Sequence, residues 1–338
     1  MNKSVAILGY GSVGKAHAES ASSLLFEEIF IIDPFEKPQL QAIEKGYKVF
    51  SSIKNFFQEV KTVDHAIIAN WGPDHCDSAL KFLDNQVKSI TVEKPFCTSL
   101  RDGLQVIEAT KIDGIFSNVH FRWSYLDLPA KINQIALDYD LGEPIEIVCQ
   151  GGAHCLSTGG THWIDFARKL FAKRIKTISS NCKSKSINPR SSSLMYLDGY
   201  LFCGFEEEKK LILNFSNLSS LPLSVRINFR NAMIEIALPN QILLYTRDQN
   251  EVIKYEDRVT RYGPVSFLKA FELGASNTTK LVLEEVLNRP MSAKASANDG
   301  FMASAAIIAA LESADSFSRE LFFEDVIASR SDKNWSFS

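Results

Sequence analysis

A histidine and an aspartate stand at the start of a predicted helix in the middle of the chain. The stretch "STGGTHWIDFA", residues 157–167, places His162 and Asp165 after two glycines in a loop of small residues. Residues three apart share one face of a helix, and an imidazole titrates near neutral pH, so it can act as a general acid or base. A histidine beside a helix start also commonly packs or caps. The rest of the chain must decide between these roles.

A glutamate and a lysine follow a predicted buried strand in "TVEKPF", where Glu93 and Lys94 precede Pro95. Ligands of open α/β sheets bind at the carboxyl ends of the strands. A lysine held extended there by the proline can polarise a substrate hydroxyl and stabilise developing alkoxide charge. A surface Glu–Lys pair at a strand end is the alternative interpretation. Asn70 and Trp71 in "NWGPDH" end the preceding strand at the same predicted edge.

Three glycines in "ILGYGSVGKAH" have the GxGxxG spacing of a phosphate-binding turn: Gly9, Gly11 and Gly14. The motif follows the first predicted strand and opens a helix, which is the context that dinucleotide binding requires. Backbone N–H groups near Ser12 and Val13 are predicted to bind a pyrophosphate at the helix N-terminus.

An aspartate at the end of the second predicted strand, Asp33, completes this dinucleotide fingerprint. Its carboxylate is expected to accept hydrogen bonds from ribose hydroxyls and to repel a 2′-phosphate, which favours NAD over NADP. Lys37 lies nearby in the sequence and moderates that preference.

Composition sets the class of protein. The chain has 338 residues, 45% hydrophobic and 23% charged, and a net charge of −3. This length predicts two domains, and the charge gives no reason to expect a nucleic acid or an anionic membrane as partner, so a small molecule is favoured. Six cysteines without a CxxC pair indicate reduced thiols in a cytoplasmic protein. Cys149, His154, Cys155 and His162 match no zinc spacing, so no metal is predicted.

Residues 1–121 alternate short apolar runs with amphipathic segments of helical length. The runs are "SVAILG", "EIFIID", "DHAIIAN", "SITVEK" and "GIFSNV". Apolar runs without alternation are typical of parallel strands covered on both faces. This part of the chain is predicted to be an α/β domain with a doubly wound parallel sheet.

Residues 122–338 are predicted to form a second, α+β domain. Apolar residues at every second position in "LILNF" and "LSVRINF" predict a large, mostly antiparallel open sheet with one buried face. Residues 266–288 and 298–317 have helical spacing. The polar stretch "SRSDKNWSFS", residues 329–338, is expected to be loose.

The chain resembles the glucose-fructose oxidoreductase, inositol dehydrogenase and rhizopine-catabolism (Gfo/Idh/MocA) family of dinucleotide-dependent oxidoreductases. The matching pieces are "GYGSVGKAHA" at 9–18, Asp33, "PDH" at 73–75, "EKPF" at 93–96, "HFRW" at 120–123 and "GTHWID" at 160–165. The resemblance covers essentially the whole chain and implies an N-terminal Rossmann domain. It also implies NAD, with NADP less favoured, in a cleft between the domains of a homodimer or homotetramer.

The resemblance implies roles for particular residues. Lys94 would position and polarise the oxidised hydroxyl, His162 would remove its proton as general base, and Asp165 would touch substrate hydroxyls or orient the imidazole. The cofactor-binding set is Gly9, Tyr10, Gly11, Ser12, Val13, Gly14, Asp33, Pro34, Asn70, Trp71, His75, Glu93 and Lys94. The substrate-binding set is Arg122, Trp123, His154 and Thr158.

One position departs from the family pattern. Active relatives often carry an aspartate four residues before the histidine, where this chain has Thr158. The expected function is NAD-dependent hydride transfer to or from a secondary alcohol or ketone of a sugar, sugar nucleotide or cyclitol. Two alternatives remain: an NAD-dependent glycoside hydrolase of the same family, and a non-catalytic NAD-binding regulator, which the threonine favours.

Overall fold

Two sheets organise the molecule, the first formed by strands within residues 4–119 and the second by strands within residues 146–322. The structure, a computed structural model, describes residues 3–112, 114–152, 154–187, 191, 193–238, 240–247, 265–274 and 277–337, with only the backbone of 183–187. Among these residues, no helix combines the length and the apolar character needed to cross a bilayer.

The first sheet has six parallel strands in the order β3-β2-β1-β4-β5-β6. Its strands are Ser4–Leu8 (β1), Glu28–Ile32 (β2), Lys48–Phe50 (β3), His65–Ile68 (β4), Ser89–Val92 (β5) and Phe116–Val119 (β6). Strand order reverses between β1 and β4, so a crevice opens at their carboxyl ends. Five of these strands confirm the prediction, whereas β3 was not predicted because three residues carry too little periodicity.

Helices cover both faces of this sheet. They are Ser12–Ser23 (α1), Glu36–Glu44 (α2), Ile53–Glu59 (α3), His75–Asp84 (α4) and Leu100–Thr110 (α5). Strand β1 shows why its sequence is apolar without alternation: Val5 and Ile7 enter one core cluster, and Ala6 and Leu8 enter the other. Both faces of the strand are therefore buried.

The second sheet has nine strands in the order β14-β13-β12-β11-β7-β10-β9-β8-β15. The strands are Glu146–Gly152 (β7), Ile175–Ile187 (β8), Met195–Phe205 (β9), Lys210–Ser216 (β10), Ser224–Asn228 (β11), Ala232–Ala237 (β12), Gln241–Thr246 (β13), Ser266–Glu272 (β14) and Leu321–Phe322 (β15). Only the pair β7 and β10 is parallel among the described pairs. Leu211, Leu213 and Phe215 are at most 1% exposed, as the period of two predicts.

The helices that follow the first sheet along the chain connect the two sheets. They are Arg122–Tyr125 (α6), Leu128–Asp138 (α7), Thr161–Phe171 (α8), Thr278–Asn288 (α9), Ala297–Asp315 (α10) and Phe323–Ala328 (α11). Helix α10 contacts α8 and β8 on one side and α5 and β6 on the other. A Cβ at Gly300 would lie 2.7 Å from Val119 and 2.9 Å from Phe96, so glycine permits this close approach. The division of the chain into domains at residues 121 and 122 stays a prediction.

The helix expected over residues 266–288 is wrong in its first part. Ser266–Glu272 forms the edge strand β14 and pairs with β13, and only Thr278–Asn288 is helical. Backbone pairing with a neighbouring strand outweighs the local spacing of apolar residues. Gly274, at φ +86°, then redirects the chain before the helix.

The loose segment expected over residues 329–338 is also wrong. Trp335 and Phe337 are 7% and 0% exposed, and Phe337 forms a parallel bridge with Met195. The backbone N–H of Trp335 donates to the Thr98 carbonyl at 2.9 Å. Backbone contacts and two aromatic side chains in the hydrophobic core therefore hold this polar stretch against the rest of the molecule.

Candidate active site

The glycine turn has the geometry that its spacing predicts. Gly9 has φ +91°, and a Cβ there would stand 2.6 Å from the Ala69 carbonyl oxygen. A Cβ at Gly14 would lie 1.9 Å from the Gly9 carbonyl oxygen. By contrast, a Cβ at Gly11 would meet nothing within 4 Å, because it would point into open space. Helix α1 begins there without a side-chain cap, so its first N–H groups can bind an anion.

Asp33 is anchored by backbone donors. Oδ2 accepts from the Tyr10 N–H at 2.8 Å, and Oδ1 accepts from the Phe35 N–H at 2.9 Å. The carboxylate is therefore oriented beside the glycine turn, and each oxygen retains a lone pair for a ligand. Tyr10 contributes through its backbone, because the residue is only 4% exposed.

A cleft of about 670 Å³ runs along the carboxyl edge of the first sheet. It is lined by most of the predicted cofactor-binding residues: Gly9, Gly11, Ser12, Val13, Asp33, Pro34, Asn70, Trp71, His75, Glu93 and Lys94. Tyr10 and Gly14 do not line it and instead support the turn. The buried Oδ1 of Asn70 has no hydrogen-bond partner among the described residues, so it is available to a ligand. The open space at Gly11, the anchored Asp33 and this free oxygen fit a dinucleotide.

The sequence analysis predicted only Trp71 of one wall of the cleft and missed Phe35 and residues 51–53. Phe35 and Trp71 lie 6.3 Å apart at its mouth and are 58% and 43% exposed. Ser51, Ser52 and Ile53, between β3 and α3, complete this wall. An exposed aromatic residue directly after Asp-Pro was the available signal, since most aromatic residues of that size are buried.

Glu93 is held by two histidines. Its Oε1 accepts hydrogen bonds from Nε2 of His17 and Nδ1 of His120, both at 2.8 Å, and Nε2 of His120 lies 2.8 Å from Oγ1 of Thr278. Burial raises the pKa of Glu93, but the charge and N–H groups of His120 and His17 outweigh it and hold the pKa well below the ordinary value. Glu93 is therefore an ionised carboxylate. The sequence left His120 open as an ordinary partly buried histidine.

His75 connects the two loops that carry Asn70 and Lys94. Nδ1 lies 2.7 Å from the Pro95 carbonyl oxygen, and Nε2 lies 3.1 Å from that of Asn70. Burial lowers the pKa of His75. A neutral imidazole has one N–H, and the shorter distance assigns it to Nδ1 and the bond to Pro95.

His162 lies at the second residue position of helix α8, with its ring 5.8 Å from that of Phe121. Burial and the positive charge of Lys94 lower its pKa well below the ordinary value, and Arg122 adds to this while Glu93 opposes it. The charge of Lys94, at the end of β5, therefore acts on an imidazole that belongs to helix α8. Nδ1 of His162 is buried without a hydrogen-bond partner among the described residues.

Asp165 takes no part in holding this imidazole. Its Oδ2 accepts from Oγ of Ser124 at 2.5 Å, and Nζ of Lys169 lies 3.1 Å from Oδ1. The residue is fully buried, and burial raises its pKa. The rotation of α8 thus points the carboxylate at Ser124, so Asp165 makes a contact between α6 and α8, and its catalytic role stays a prediction.

The four predicted substrate residues divide in two. Trp123 is 5% exposed and packs on Trp163 with ring centroids 4.7 Å apart, and its contact with substrate stays a prediction. Arg122 is exposed and lies over the Trp123 ring. His154 is partly exposed, 5.6 Å from the Phe215 ring, and the partly exposed Thr158 belongs to the π-helical turn Leu156–Gly160 that precedes α8.

Among the described residues, one group of side chains that could ligate a metal lies close together. It differs from the cysteines and histidines at 149, 154, 155 and 162 that the sequence analysis considered. Ligand atoms of His17, Glu93 and His120 lie within 4.8 Å of one another. The hydrogen bonds to Glu93 account for this arrangement, and Nδ1 of His17 lacks the second partner that metal-bound imidazoles usually have.

Comparison with known proteins supports the predicted Rossmann fold of residues 3–120. Residues 3–120 match the model of the Gfo/Idh/MocA family, described as an oxidoreductase family with an NAD-binding Rossmann fold. The match confirms the predicted resemblance for residues 3–120. No protein of curated function matches the chain in sequence.

Solved structures share the fold over almost the whole chain. An oxidoreductase from Thermotoga maritima has a TM-score of 0.77 at 17% identity, covering 96% of this chain and 99% of that one. An oxidoreductase from Agrobacterium radiobacter, solved with NAD+, L-tartaric acid and magnesium, has a TM-score of 0.74 at 15% identity, covering 96% and 99%. A UDP-N-acetylglucosamine 3-dehydrogenase from Acidithiobacillus ferrooxidans has 0.70 at 14%, covering 93% and 98%.

Proposed function

We propose that this chain, whose residues 3–120 match an NAD-binding oxidoreductase family, transfers hydride between NAD and a secondary alcohol or ketone of a carbohydrate. The substrate class is a sugar, sugar nucleotide or cyclitol. The observation that carries the proposal is the cleft lined by the glycine turn, Asp33 and Lys94. The positive charge of Lys94 also helps to lower the pKa of His162 on helix α8. The sugar-nucleotide dehydrogenase and the tartaric acid complex among the similar folds support hydroxyl-bearing substrates.

The cleft residues would hold the cofactor in a defined direction. The glycine turn and the N-terminus of α1 would bind the pyrophosphate, and Asp33 would accept the ribose hydroxyls. Bound NAD supplies the hydride acceptor or donor. Two histidines, His17 and His120, donate to the Glu93 carboxylate. They would thereby keep the loop that carries the neighbouring Lys94 in place.

The proton chemistry belongs to Lys94 and His162. The Lys94 ammonium would bind the substrate hydroxyl and stabilise negative charge on its oxygen. The lowered pKa keeps His162 neutral, which is the form that accepts a proton as general base. Thr158 cannot supply the charge that would hold an imidazolium, so the neutral imidazole is the resting form.

Steady-state kinetics with purified protein tests this function. Reduced-nicotinamide absorbance is followed with a panel of sugars, sugar nucleotides and cyclitols, and Lys94→Met and His162→Asn are each expected to lower kcat about 100-fold or more. Lys88→Met, an exposed lysine outside the cleft, is the control. Tight NAD binding without turnover on any substrate would contradict the proposal. Release of a sugar from a glycoside without net absorbance change would indicate hydrolysis instead.

We further propose that two or four copies associate through the outer face of the second sheet. Val148, Ile212 and Phe202 stand in register across β7, β10 and β9 on the face opposite Leu211 and Leu213, and each is only partly buried within one chain. A contiguous apolar row of this kind is typical of a subunit interface. Light scattering at micromolar concentration is expected to give a dimer or tetramer mass, and a monomer mass would contradict it.

A further inference from the structure

Residues 331–337, which we call the strap, run beside the loops that line the cofactor cleft. Oγ1 of Thr98 donates to Oδ1 of Asn334 at 2.8 Å. The Thr98 carbonyl accepts from the backbone N–H of Trp335 at 2.9 Å. Thr98 belongs to the loop between β5 and α5 that also carries Lys94. The strap is therefore anchored on the same loop as the lysine of the candidate active site.

Phe337, in the strap, reaches the two cleft loops themselves. A Cβ at Gly72 would lie 2.8 Å from the Phe337 carbonyl oxygen and 2.9 Å from Cγ of Pro95, so three segments of the chain meet where a side chain would not fit. Gly72 directly follows Trp71, and Pro95 directly follows Lys94. Trp71 and Lys94 both line the cleft. The Phe337 backbone thus contacts the immediate neighbours of two cleft residues.

The position of this backbone is fixed from outside the cleft. The Phe337 side chain is fully buried in the main core cluster. The Met195 N–H donates to the Ser336 carbonyl at 2.6 Å, and Met195 forms a parallel bridge with Phe337. Met195 is the first residue of β9, so the strap is also bound to the second sheet. A displacement of Phe337 away from Gly72 would have to break these contacts.

We propose that Phe337 is a positioning residue for the cofactor: its backbone sets the spacing of the loops that carry Trp71 and Lys94, and its side chain holds that backbone in place. This inference rests on the proposed use of the cleft by NAD. Binding groups work when packing holds them within about 0.5 Å of the required geometry. A loosened strap would leave both loops free to move, and NAD would then have to order them on binding, which lowers its affinity.

Calorimetric titration with NAD tests this role in two matched variants. Phe337→Leu and Phe323→Leu make the same change at core positions that are 0% and 1% exposed. Phe323 lies on helix α11, which packs against α10 and β8, so its variant controls for lost packing alone. Phe337→Leu is expected to weaken NAD binding about fivefold or more, and Phe323→Leu to change it less than about twofold. Urea denaturation shows whether each variant is folded at the titration temperature.

Hydrogen exchange of the parent protein tests the same role without a substitution. Coupling between two sites is reciprocal, so NAD that binds better when the strap is in place must also stabilise the strap. Saturating NAD is expected to slow amide exchange of residues 331–337 about fivefold, as measured by mass spectrometry. Residues 323–328 of helix α11 should exchange at the same rate with and without NAD.

The outcomes separate this inference from the proposed function. Equal NAD affinities of the two variants, or strap exchange that NAD does not slow, would overturn it, and Phe337 would then contribute to stability alone. If Phe337→Leu does not fold, the exchange measurement decides. Failure of the parent protein to bind NAD would overturn the proposed use of the cleft and this inference with it. Because both measurements need no substrate, absence of hydride transfer in a protein with the expected NAD affinities would contradict only the proposed reaction.

Discussion

Nε2 of His17 lies 2.8 Å from Oε1 of Glu93, and the two side chains are 0% and 6% exposed. Helix α1, which begins at the glycine turn, is thereby connected to the end of β5, which carries Lys94. One hydrogen bond thus joins the part of the chain that would bind the pyrophosphate to the part that would bind the substrate hydroxyl. Removing the donor leaves a buried carboxylate with one partner fewer.

Replacing this donor is expected to destabilise the protein. His17→Ala should lower the free energy of unfolding by about 2–3 kcal/mol, since hydrogen bonds to charged groups contribute that much. Urea denaturation measures the change. His17→Gln, which keeps an N–H at a similar distance from the backbone, should recover part of the loss. Equal stabilities of the alanine variant and the parent protein would show that the contact contributes nothing.

A second buried histidine makes stability depend on pH. Nδ1 of His65 lies 2.8 Å from Oγ of Ser89, and Nε2 lies 2.9 Å from Oγ1 of Thr91, which itself donates to Asn118. Burial lowers the pKa of His65 to about 3. The unfolded chain binds this proton below about pH 6.5 and the folded chain does not, so stability falls as the pH drops through that value.

Because of His65, the free energy of unfolding is expected to be about 2 kcal/mol lower at pH 5 than at pH 7. The glutamine in the His65→Gln variant cannot be protonated, so the variant's free energy of unfolding should fall less steeply over that interval. The smaller slope should correspond to about one proton fewer bound on unfolding. Urea denaturation at a series of pH values gives both slopes. His17, His75 and His162 also have lowered pKa values and keep part of the slope in both proteins. Identical slopes would mean that His65 does not titrate differently on folding.

Removing the cation of Lys94 should change the titration of His162. The ammonium is one of the causes of the lowered pKa, after burial, so Lys94→Met is expected to raise the pKa of His162 towards its ordinary value. Nuclear magnetic resonance titration of the imidazole measures this without any substrate. Lys88→Met should have no effect. An unmoved pKa in Lys94→Met would show that the two side chains do not interact, which would remove the basis of the proposed active site.

Filling the open space at the glycine turn should prevent cofactor binding. Gly11→Val is expected to weaken NAD binding about 100-fold or more, because the added methyl groups would occupy the cleft at the start of α1. The backbone there has φ −73°, so the substitution itself introduces no backbone strain and the melting temperature without NAD should change little. Calorimetry gives the affinity. Undiminished binding would place the pyrophosphate elsewhere.

The aromatic segment at residues 335–337 should contribute to stability. Phe337 is fully buried, so Phe337→Ala is expected to cost about 3–4 kcal/mol in the free energy of unfolding. Phe317→Ala removes the same side chain from a position that is fully exposed and should cost less than about 0.5 kcal/mol. Urea denaturation compares the two. A small effect of both would mean that the segment is not packed in solution.

Local signals were sufficient for much of the molecule. Apolar runs predicted five of the six strands of the first sheet, and period two predicted the buried face of β10. Gly9 to Gly14 and Asp33 were predicted as a dinucleotide-binding motif from local sequence alone. The tight turn needs glycines at fixed spacing, and the aspartate follows at the end of the next strand. Only the tertiary structure shows that Trp123 packs on Trp163 and that Asp165 accepts from Ser124, since the rotation of α6 and α8 about their axes follows from how they pack on each other.

By itself the amino-acid sequence determined the glycine turn, the α/β character of residues 1–121 and the polar residues at the strand ends, because each rests on contacts a few residues long. Only the tertiary structure decided that His17 and His120 hold Glu93, that the Phe121 ring lies against His162 and that Phe337 is buried. Those contacts join residues far apart in the chain, and their distances depend on how whole sheets and helices pack, which no spacing within one segment encodes.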